Sequence, residues 1–576
     1  MQHLKRLMGY INRYRFLFIL GTILTILSIG LEGIKPYLTR LIVDEGLENR
    51  NFESLTIWIG ILLGVAFLRS LIWYARAYTF HFMTQKTLYD FRIELYDKLQ
   101  AQSFAFYDKV RTGILMNRMV GDLEAIRKFL TIGYAQFIEC IVLFIVAFSL
   151  MLSMSVKLTI VTAIIMPFMY INTVKLANAL QPIYKSVRKA FENLTSQVEE
   201  NITGIRVVKA FGNEKSEQTK FYHTAKKFTA ENIKAADMQA KYAPFSEFIN
   251  GIGLIIVLLV GGYLVIQQEI TIGVLVAFNA YINMLRGPIR NLNSVINHWE
   301  NATASLEKVY DVLDTQPAIQ DKKNALVLDD IQGDVRFKKV FFKYGKEEVL
   351  HNININMKAG TVTAIMGTAG SGKTTIINLL GRFYDCTAGE IYIDGYNIKE
   401  LKMNSFRSHI GIILQETFLF TDNIANNIAF GNLKATKAEI ERAARIADAH
   451  DFIMEMPKGY DTVIGERGVG LSGGQRQRIA IARAIVCDPA ILVLDDATSS
   501  VDMETEHEIQ TTLRQVMENR TTLIIAHRIS SVKDADQIIY LQDGYIVERG
   551  THADLMALRG RYYDTFEQQY GEKVIA

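Results

Sequence analysis

Three stretches in the second half of the chain carry residue types suited to phosphate chemistry. The first, Gly367-Thr368-Ala369-Gly370-Ser371-Gly372-Lys373-Thr374-Thr375, follows an apolar, β-branched run at 361–366 and precedes the helical pattern Ile376-Ile377-Asn378-Leu379-Leu380. Strand, glycine turn, helix is the context in which backbone N–H groups curl around an anion and a helix N-terminus adds its positive end. There Lys373 reaches the outer phosphates of a nucleotide and the Thr374 hydroxyl ligates Mg²⁺. The second stretch, Ile491-Leu492-Val493-Leu494, is an apolar strand ending in Asp495-Asp496. A carboxylate at the end of a buried strand, paired with a phosphate loop, holds Mg²⁺ through water, and Asp495 is assigned that role. The third, Leu471-Ser472-Gly473-Gly474-Gln475-Arg476-Gln477-Arg478, opens a basic helix with a Ser-Gly-Gly turn and forms a second anion cradle. One γ-phosphate does not need two cradles from one chain, so the second is expected to serve a nucleotide held by another subunit. Tyr344, in Phe342-Lys343-Tyr344 at a strand end, offers a ring for an adenine base, with core or edge packing as the competing reading.

The elements that position these residues occupy 334–576, where strands and helices alternate from Val335-Arg336-Phe337 onward, the pattern of an α/β domain with a largely parallel sheet. From about Tyr310 to Gly333 the pattern turns polar, and 316–333 is read as a linker. The remainder, 1–315, is of another kind. The whole chain has 576 residues, 49% hydrophobic yet 21% charged, which fits a protein part membrane and part water-soluble. A net charge of +3 gives nucleic-acid binding no support. Cys140, Cys386 and Cys487 lie far apart without metal-site spacing, so no disulfide framework is expected. The basic, amphipathic N-terminus leads into an apolar segment without a cleavage site, which reads as an anchor.

Apolar segments long enough to cross a bilayer fall near 16–43, 55–80, 129–153, 155–180, 244–266 and 270–296. Short links join spans 1 and 2, 3 and 4, and 5 and 6. Spans 2 and 3, and 4 and 5, are separated by roughly fifty to sixty polar, helix-prone residues, far more than a turn needs. Those long segments carry the basic residues, among them Lys86, Arg92, Lys98, Arg118, Arg127, Lys185, Arg188, Arg206 and Lys209, whereas the short links hold little beyond Arg50 and Lys157. The positive-inside rule then places the long segments and both termini in the cytoplasm. The helices continue past the membrane and turn near Phe104-Ala105-Phe106-Tyr107-Asp108 and near 204–212, which read as docking helices that pass force to the ATPase half; amphipathic packing is the alternative. Ionisable residues inside the spans (Glu32, Lys35, Arg69, Arg76, Glu139, Glu247, Arg286) each require a partner or a water-filled path. Glu32, Glu139 and Glu247, with Asn250, Asn279 and Asn283, are candidates to line a pathway for cationic or amphipathic cargo; ion pairing within the protein is the competing reading.

Taken in order, Tyr344, the 367–375 loop, Gln415, Leu471–Gln475, Asp495, Ser500-Val501-Asp502 and His527 in Ile524-Ile525-Ala526-His527-Arg528 resemble the motifs of ABC transporter ATPase domains. With Gly465-Glu466-Arg467-Gly468, a feature of exporters, the chain resembles a half-size ABC exporter along essentially its whole length. The resemblance implies a multidomain membrane protein, an all-α six-helix transmembrane domain of the type IV exporter kind fused to an α/β P-loop ATPase domain and completed by dimerisation. It implies that Gln415 senses Mg²⁺ and the membrane helices, that Asp502 communicates across the dimer, and that His527 contacts the γ-phosphate and attacking water. ATP and Mg²⁺ are the implied cofactors. The lipid bilayer of a bacterial cytoplasmic membrane, hydrophobic or amphipathic cargo and a second half-transporter are the implied surroundings.

One position departs from the family pattern. The residue after the metal carboxylate is usually Glu, which polarises the attacking water; here it is Asp496. One methylene fewer draws the carboxylate back by roughly 1.5 Å, and a displacement near 1 Å in a catalytic group costs about 100-fold in rate. The site built on this chain's own phosphate loop is therefore expected to bind ATP and hydrolyse it slowly, while its intact Ser472–Gln475 turn completes the partner's site. That combination resembles one half of the heterodimeric bacterial multidrug exporters. The alternatives are a homodimeric lipid flippase or exporter, and a nucleotide-gated channel or regulatory subunit.

Overall fold

The computed structural model describes residues 2–415, 417–465, 468, 470–496 and 503–571, without the side chains of 2, 169, 173, 177, 243, 246, 250, 290 and 503–507. The chain divides into two compact units, Met1–Ala101 with Val110–Gln316, and Gln102–Lys109 with Pro317–Ala576.

Among the described residues of the first unit, six helices are long and apolar enough to cross a membrane: Arg15–Glu48, Phe52–Gln100, Thr112–Met154, Val156–Thr203, Glu214–Ile266 and Ile272–Asp314. Each runs well past its apolar part. The first ends in a turn of π-helix, Ile42–Glu48, whose Asp44 accepts from Thr271 Oγ1 at 2.7 Å and from Gly273 N–H at 2.8 Å, capping the start of the sixth helix. Helices one and three approach so closely at Gly33 that a Cβ there would stand 2.4 Å from Val146. Across the same region the buried Tyr281 hydroxyl donates to the Gly33 carbonyl at 2.9 Å. Tyr310, where the sequence pattern begins to turn polar, is still helical and fully buried, stacked under Arg6 of the N-terminal helix Gln2–Arg13. The turn between helices four and five is the short helix Ile205–Phe211, closed by Gly212 at φ +63°.

The second unit holds two sheets. Its strands are β1 (Val335–Tyr344), β2 (Glu347–Met357), β3 (Val362–Gly367), β4 (Ala388–Ile393), β5 (Tyr396–Asn397), β6 (Ile410–Ile413), β7 (Ile491–Asp495), β8 (Thr521–Ile525), β9 (Gln537–Gln542) and β10 (Tyr545–Gly550). β2-β1-β4-β5 is antiparallel, and β10-β9-β3-β8-β7-β6 is parallel except at the β10 edge. The central strands β7 and β8 are buried at every position, as their unbroken apolar runs require of a sheet covered on both faces.

The expected linker 316–333 is not a free connection. Leu326 bridges Leu401, its N–H donating to Glu400 O and its carbonyl accepting from Lys402 N–H, each at 2.8 Å. Asp394 gathers the N–H groups of Gln332, Gly333 and Asp334, and Ile331 is buried in the core. The carboxylate that holds this backbone, Asp394, lies outside the stretch, and of the stretch's own acids Asp321 accepts from Met403 N–H at 3.0 Å. The short helix Phe104–Lys109, placed by sequence in the membrane half, groups with this second unit because its rings seat there: Phe104 packs edge-on against Phe383 at 4.5 Å, and Asp108 accepts a hydrogen bond from the Tyr384 hydroxyl.

Candidate nucleotide site

In a parallel sheet, ligands bind outside the carboxyl ends of the strands. The register fixes what meets there. Asp495, last of β7, lies opposite Ile525, last of β8, and Ile525 in turn pairs Ile365 in β3, two residues before Gly367. Gln415 follows the end of β6, exposed, and His527 follows the end of β8. The strand ends thus bring the phosphate loop, the two carboxylates and His527 to one rim.

Within the loop, Gly367, Gly370 and Gly372 have φ of +150°, +79° and +98°. Gly367 tolerates no side chain at all, since a Cβ would stand 1.9 Å from the Leu541 carbonyl oxygen. Lys373 opens the helix Lys373–Leu380 and folds back, its ammonium donating to the Gly367 and Thr368 carbonyls at 2.9 and 2.8 Å. Burial pulls its pKa below the ordinary lysine value, countered in part by Asp495 and Asp496. Ser371 Oγ is buried without a hydrogen-bond partner among the described residues. A cradle with an orphaned hydroxyl and a cation bonded only to carbonyl oxygens fits a phosphate group.

Asp495 is buried and accepts from the Thr374 hydroxyl. Burial, and then Asp496, push its carboxyl above the usual range; Thr374, Lys373 and His527 pull it back. A buried carboxylate that accepts from a threonine hydroxyl, with a second carboxylate beside it, is a donor set that suits a hard divalent cation. Asp496 sits at φ +43°, the left-handed region that a non-glycine residue seldom occupies, with its N–H on the Ile525 carbonyl at 2.8 Å. This conformation turns the chain out of β7 at the residue the sequence singles out.

Tyr344 closes β1. It meets Phe342 edge-on at 4.7 Å and Tyr384 edge-on at 5.1 Å, and its hydroxyl accepts from Asn378 at 3.3 Å. A cavity of about 430 Å³ opens beside it, lined by Phe342, Lys343, Tyr344 and Tyr384 on one side and by Ser103, Ala105 and Asp108 on the other.

The Ser472 turn opens a helix, Gly473–Ile485, and caps it twice: Ser472 Oγ accepts from Gln475 N–H at 3.2 Å, and Gln475 Oε1 accepts from Ser472 N–H at 3.0 Å. No hydrogen bond among the described residues joins this turn to the 367–375 loop. Glu466, Arg467, Ser500, Val501 and Asp502 lie outside the described residues. One contributor escapes any motif reading: Gln569, in the helix Arg561–Tyr570, donates to the His527 carbonyl at 2.8 Å and accepts from Ile529 N–H at 2.9 Å, clamping the backbone on both sides of Arg528. No local signal in the sequence marks it.

In the spans, Glu32 contacts Lys35 and Arg69, and Glu247 contacts Arg286. Glu139 lies within electrostatic reach of Arg76. Asn283 donates to the Asn279 carbonyl and side-chain oxygens and accepts from Arg286. Asn250 is helical, and its side chain is not among those described. The carboxylates therefore have cationic neighbours in the protein itself, which removes the argument that they await a cationic cargo.

Residues 18–289 match the family described as ABC transporter transmembrane region, and residues 350–499 match ABC transporter. The chain is 40% identical to the uncharacterized ABC transporter ATP-binding protein YknU of Bacillus subtilis, over 99% of this chain and 98% of that protein. It is 36% identical to the ATP-dependent lipid A-core flippase of Syntrophus aciditrophicus, over 99% of this chain and 94% of that one. The Bacillus subtilis protein YgaD, named a putative multidrug export ATP-binding/permease protein, is 34% identical over 98% and 99%. A bacterial Atm1-family ABC exporter with ATP bound superposes with a TM-score of 0.79 at 28% identity, covering 96% of this chain and 98% of that one.

Proposed function

The chain belongs to the ABC transporters, as a half-size exporter with a helical transmembrane region and an ATP-binding domain, and from that premise we propose that it is one half of a heterodimeric exporter of hydrophobic or amphipathic compounds, with a slow ATP site on its own phosphate loop. It acts in a bacterial cytoplasmic membrane, with both termini and the ATPase domain inside.

The roles follow from the chemistry of the groups. Lys373 exchanges its two loop carbonyls for phosphate oxygens, a stronger, charge-assisted pairing, and Ser371 gains its missing partner. Thr374 and Asp495 hold Mg²⁺ when it is bound, supplying positive charge against the phosphates, and Gln415 approaches it from the end of β6. The Tyr344 ring stacks on adenine. His527, its backbone fixed by Gln569, faces the γ-phosphate, and Asp496 orients the attacking water. The Ser472–Gln475 turn closes on the partner's nucleotide. ATP drives the cycle because it favours the closed dimer over the open one.

The observation that carries the unequal-site reading is Asp496: a side chain one methylene short, on a backbone already held in the left-handed region. Replacing it with Glu in the assembled transporter is expected to raise ATP turnover at this site, by up to about 100-fold. Purification of this chain alone supplies the opposing test. Turnover at the rate of a complete exporter, abolished by Asp496→Asn, means a competent homodimer and removes the heterodimer reading.

A further inference from the structure

The charges inside the spans are not evenly balanced. Glu247 and Arg286 form a closed pair, with both carboxylate oxygens 2.7 Å from one guanidinium nitrogen. Glu32, on the first span, instead stands between two cations, with Lys35 Nζ at 2.9 Å and Arg69 Nε of the second span at 2.5 Å. One carboxylate answers two positive charges. Moreover, the Arg69 Nε and Glu32 Oε2 atoms are both buried yet make no aligned hydrogen bond among the described residues, so they meet through charge. The three side chains stay open, with 28%, 29% and 35% of the Lys35, Glu32 and Arg69 surfaces exposed. About two helical turns along the second span, Arg76 shares the face of Arg69. It leans over the Trp73 ring at 5.9 Å and feels Glu139 of the third span only at electrostatic range. Lys35, Arg69 and Arg76 thus outnumber Glu32 and Glu139, leaving this half-open cluster with one positive charge in excess.

A cation at membrane depth needs a counter-charge, and a guanidinium presents a planar fork that matches a carboxylate or phosphate. We propose that Lys35, Arg69 and Arg76 form a headgroup site, and that the preferred cargo is an anionic amphiphile, a phosphate or carboxylate on an apolar body. This rests on the export reading above and narrows it. Glu32 limits the site to roughly one negative charge by neutralising part of the cluster.

The test is ATPase stimulation of the full transporter in nanodiscs of zwitterionic lipid, with amphiphiles of one tail length below their micelle-forming concentrations: dodecyl phosphate, dodecanoate, dodecylphosphocholine and dodecyltrimethylammonium. A single charge-assisted hydrogen bond to the headgroup corresponds to a half-maximal concentration about 10-fold lower for the anionic members than for the cationic one. The stronger of phosphate and carboxylate identifies a phospholipid-like or a fatty-acid-like headgroup, and either supports the site. Arg69→Gln is expected to erase the anionic preference, Arg69→Lys to keep part of it, and Glu32→Gln to strengthen it, with basal ATPase unchanged throughout. Lys35→Gln leaves the Arg69–Glu32 pair in place, so a loss of preference there is read free of misfolding. Stimulation without charge preference, or a preference untouched by both Arg69→Gln and Lys35→Gln, overturns the site while export stands. Basal ATPase that no member of the series moves overturns both.

Discussion

The two glycine-containing turns of the ATPase unit open helices in opposite states of readiness. The 367–375 loop buries Ser371, Lys373 and Thr375 and, among the described residues, leaves Ser371 Oγ without a hydrogen-bond partner. The 471–475 turn is self-satisfied: Ser472 and Gln475 cap each other, and Ser472 faces solvent. The first offers a buried hydroxyl and a lysine ammonium to an anion. The second already has its cap, and because Ser472 Oγ accepts the Gln475 N–H, its own hydroxyl proton stays available to an acceptor outside the chain. Sequence similarity between glycine turns therefore hides the difference on which the proposed function rests, one turn to bind and the other to close.

The sharpest way to break this contrast is to remove one group from each turn. Lys373→Ala takes the only side-chain cation from the loop, and nucleotide binding by the isolated chain should fall by about 100-fold, with a smaller loss of ATPase in the complex, whose turnover is carried by the partner's site. Ser472→Ala should leave nucleotide affinity of the isolated chain unchanged, as read by equilibrium binding of a fluorescent ATP analogue. In the assembled transporter the same change should cost about 100-fold in turnover, beyond the ~1 kcal/mol that loss of an N-cap takes from the helix. If Ser472→Ala weakens binding to the chain alone as Lys373→Ala does, both turns serve one nucleotide and the division fails.

Asp496 gives a test of similar size on the hydrolytic side. Asp496→Glu lengthens the carboxylate without touching either cradle. Single-turnover hydrolysis in the complex should therefore rise while nucleotide affinity holds. A change in affinity with no change in rate would assign Asp496 to binding and leave the slow-site reading without its basis.

Much of this was legible because the chemistry is local. The strand–turn–helix around 367–375, the Asp495 at a strand end and the Ser-Gly-Gly turn are each written in fewer than about a dozen consecutive residues, the length over which hydrophobic periodicity can be read. The six spans, and the short helices at Phe104–Lys109 and Ile205–Phe211, were equally readable from length and charge. What escaped depends on contacts distant in sequence. Gln569 reaches His527 from 42 positions away. The 316–333 stretch is held by Asp394 and Glu400 rather than by its own pattern. The pairing of Glu32 with both Arg69 and Lys35 links two spans, so single-residue scanning counts a carboxylate where the fold has a net cation.

The smallest expected effect concerns the base end of the first cradle. Tyr344 touches Tyr384, and Tyr384 holds Asp108 on the helix Phe104–Lys109, which the chain connects directly to two membrane spans. Tyr384→Phe keeps the ring, and so the edge-on packing and the cavity wall, but loses one hydrogen bond to a carboxylate, net about 1.5 kcal/mol or less. ATP affinity and basal turnover should therefore stay within about twofold, a margin of ~0.4 kcal/mol. The amphiphile-stimulated component should drop several-fold, as the helix no longer follows the base pocket. Asp108→Asn, which retains an acceptor oxygen, should behave nearly as wild type, whereas Asp108→Ala should match Tyr384→Phe. A Tyr384→Phe protein that is stimulated normally would mean that the apolar seat of Phe104 on Phe383 carries the linkage without the hydroxyl.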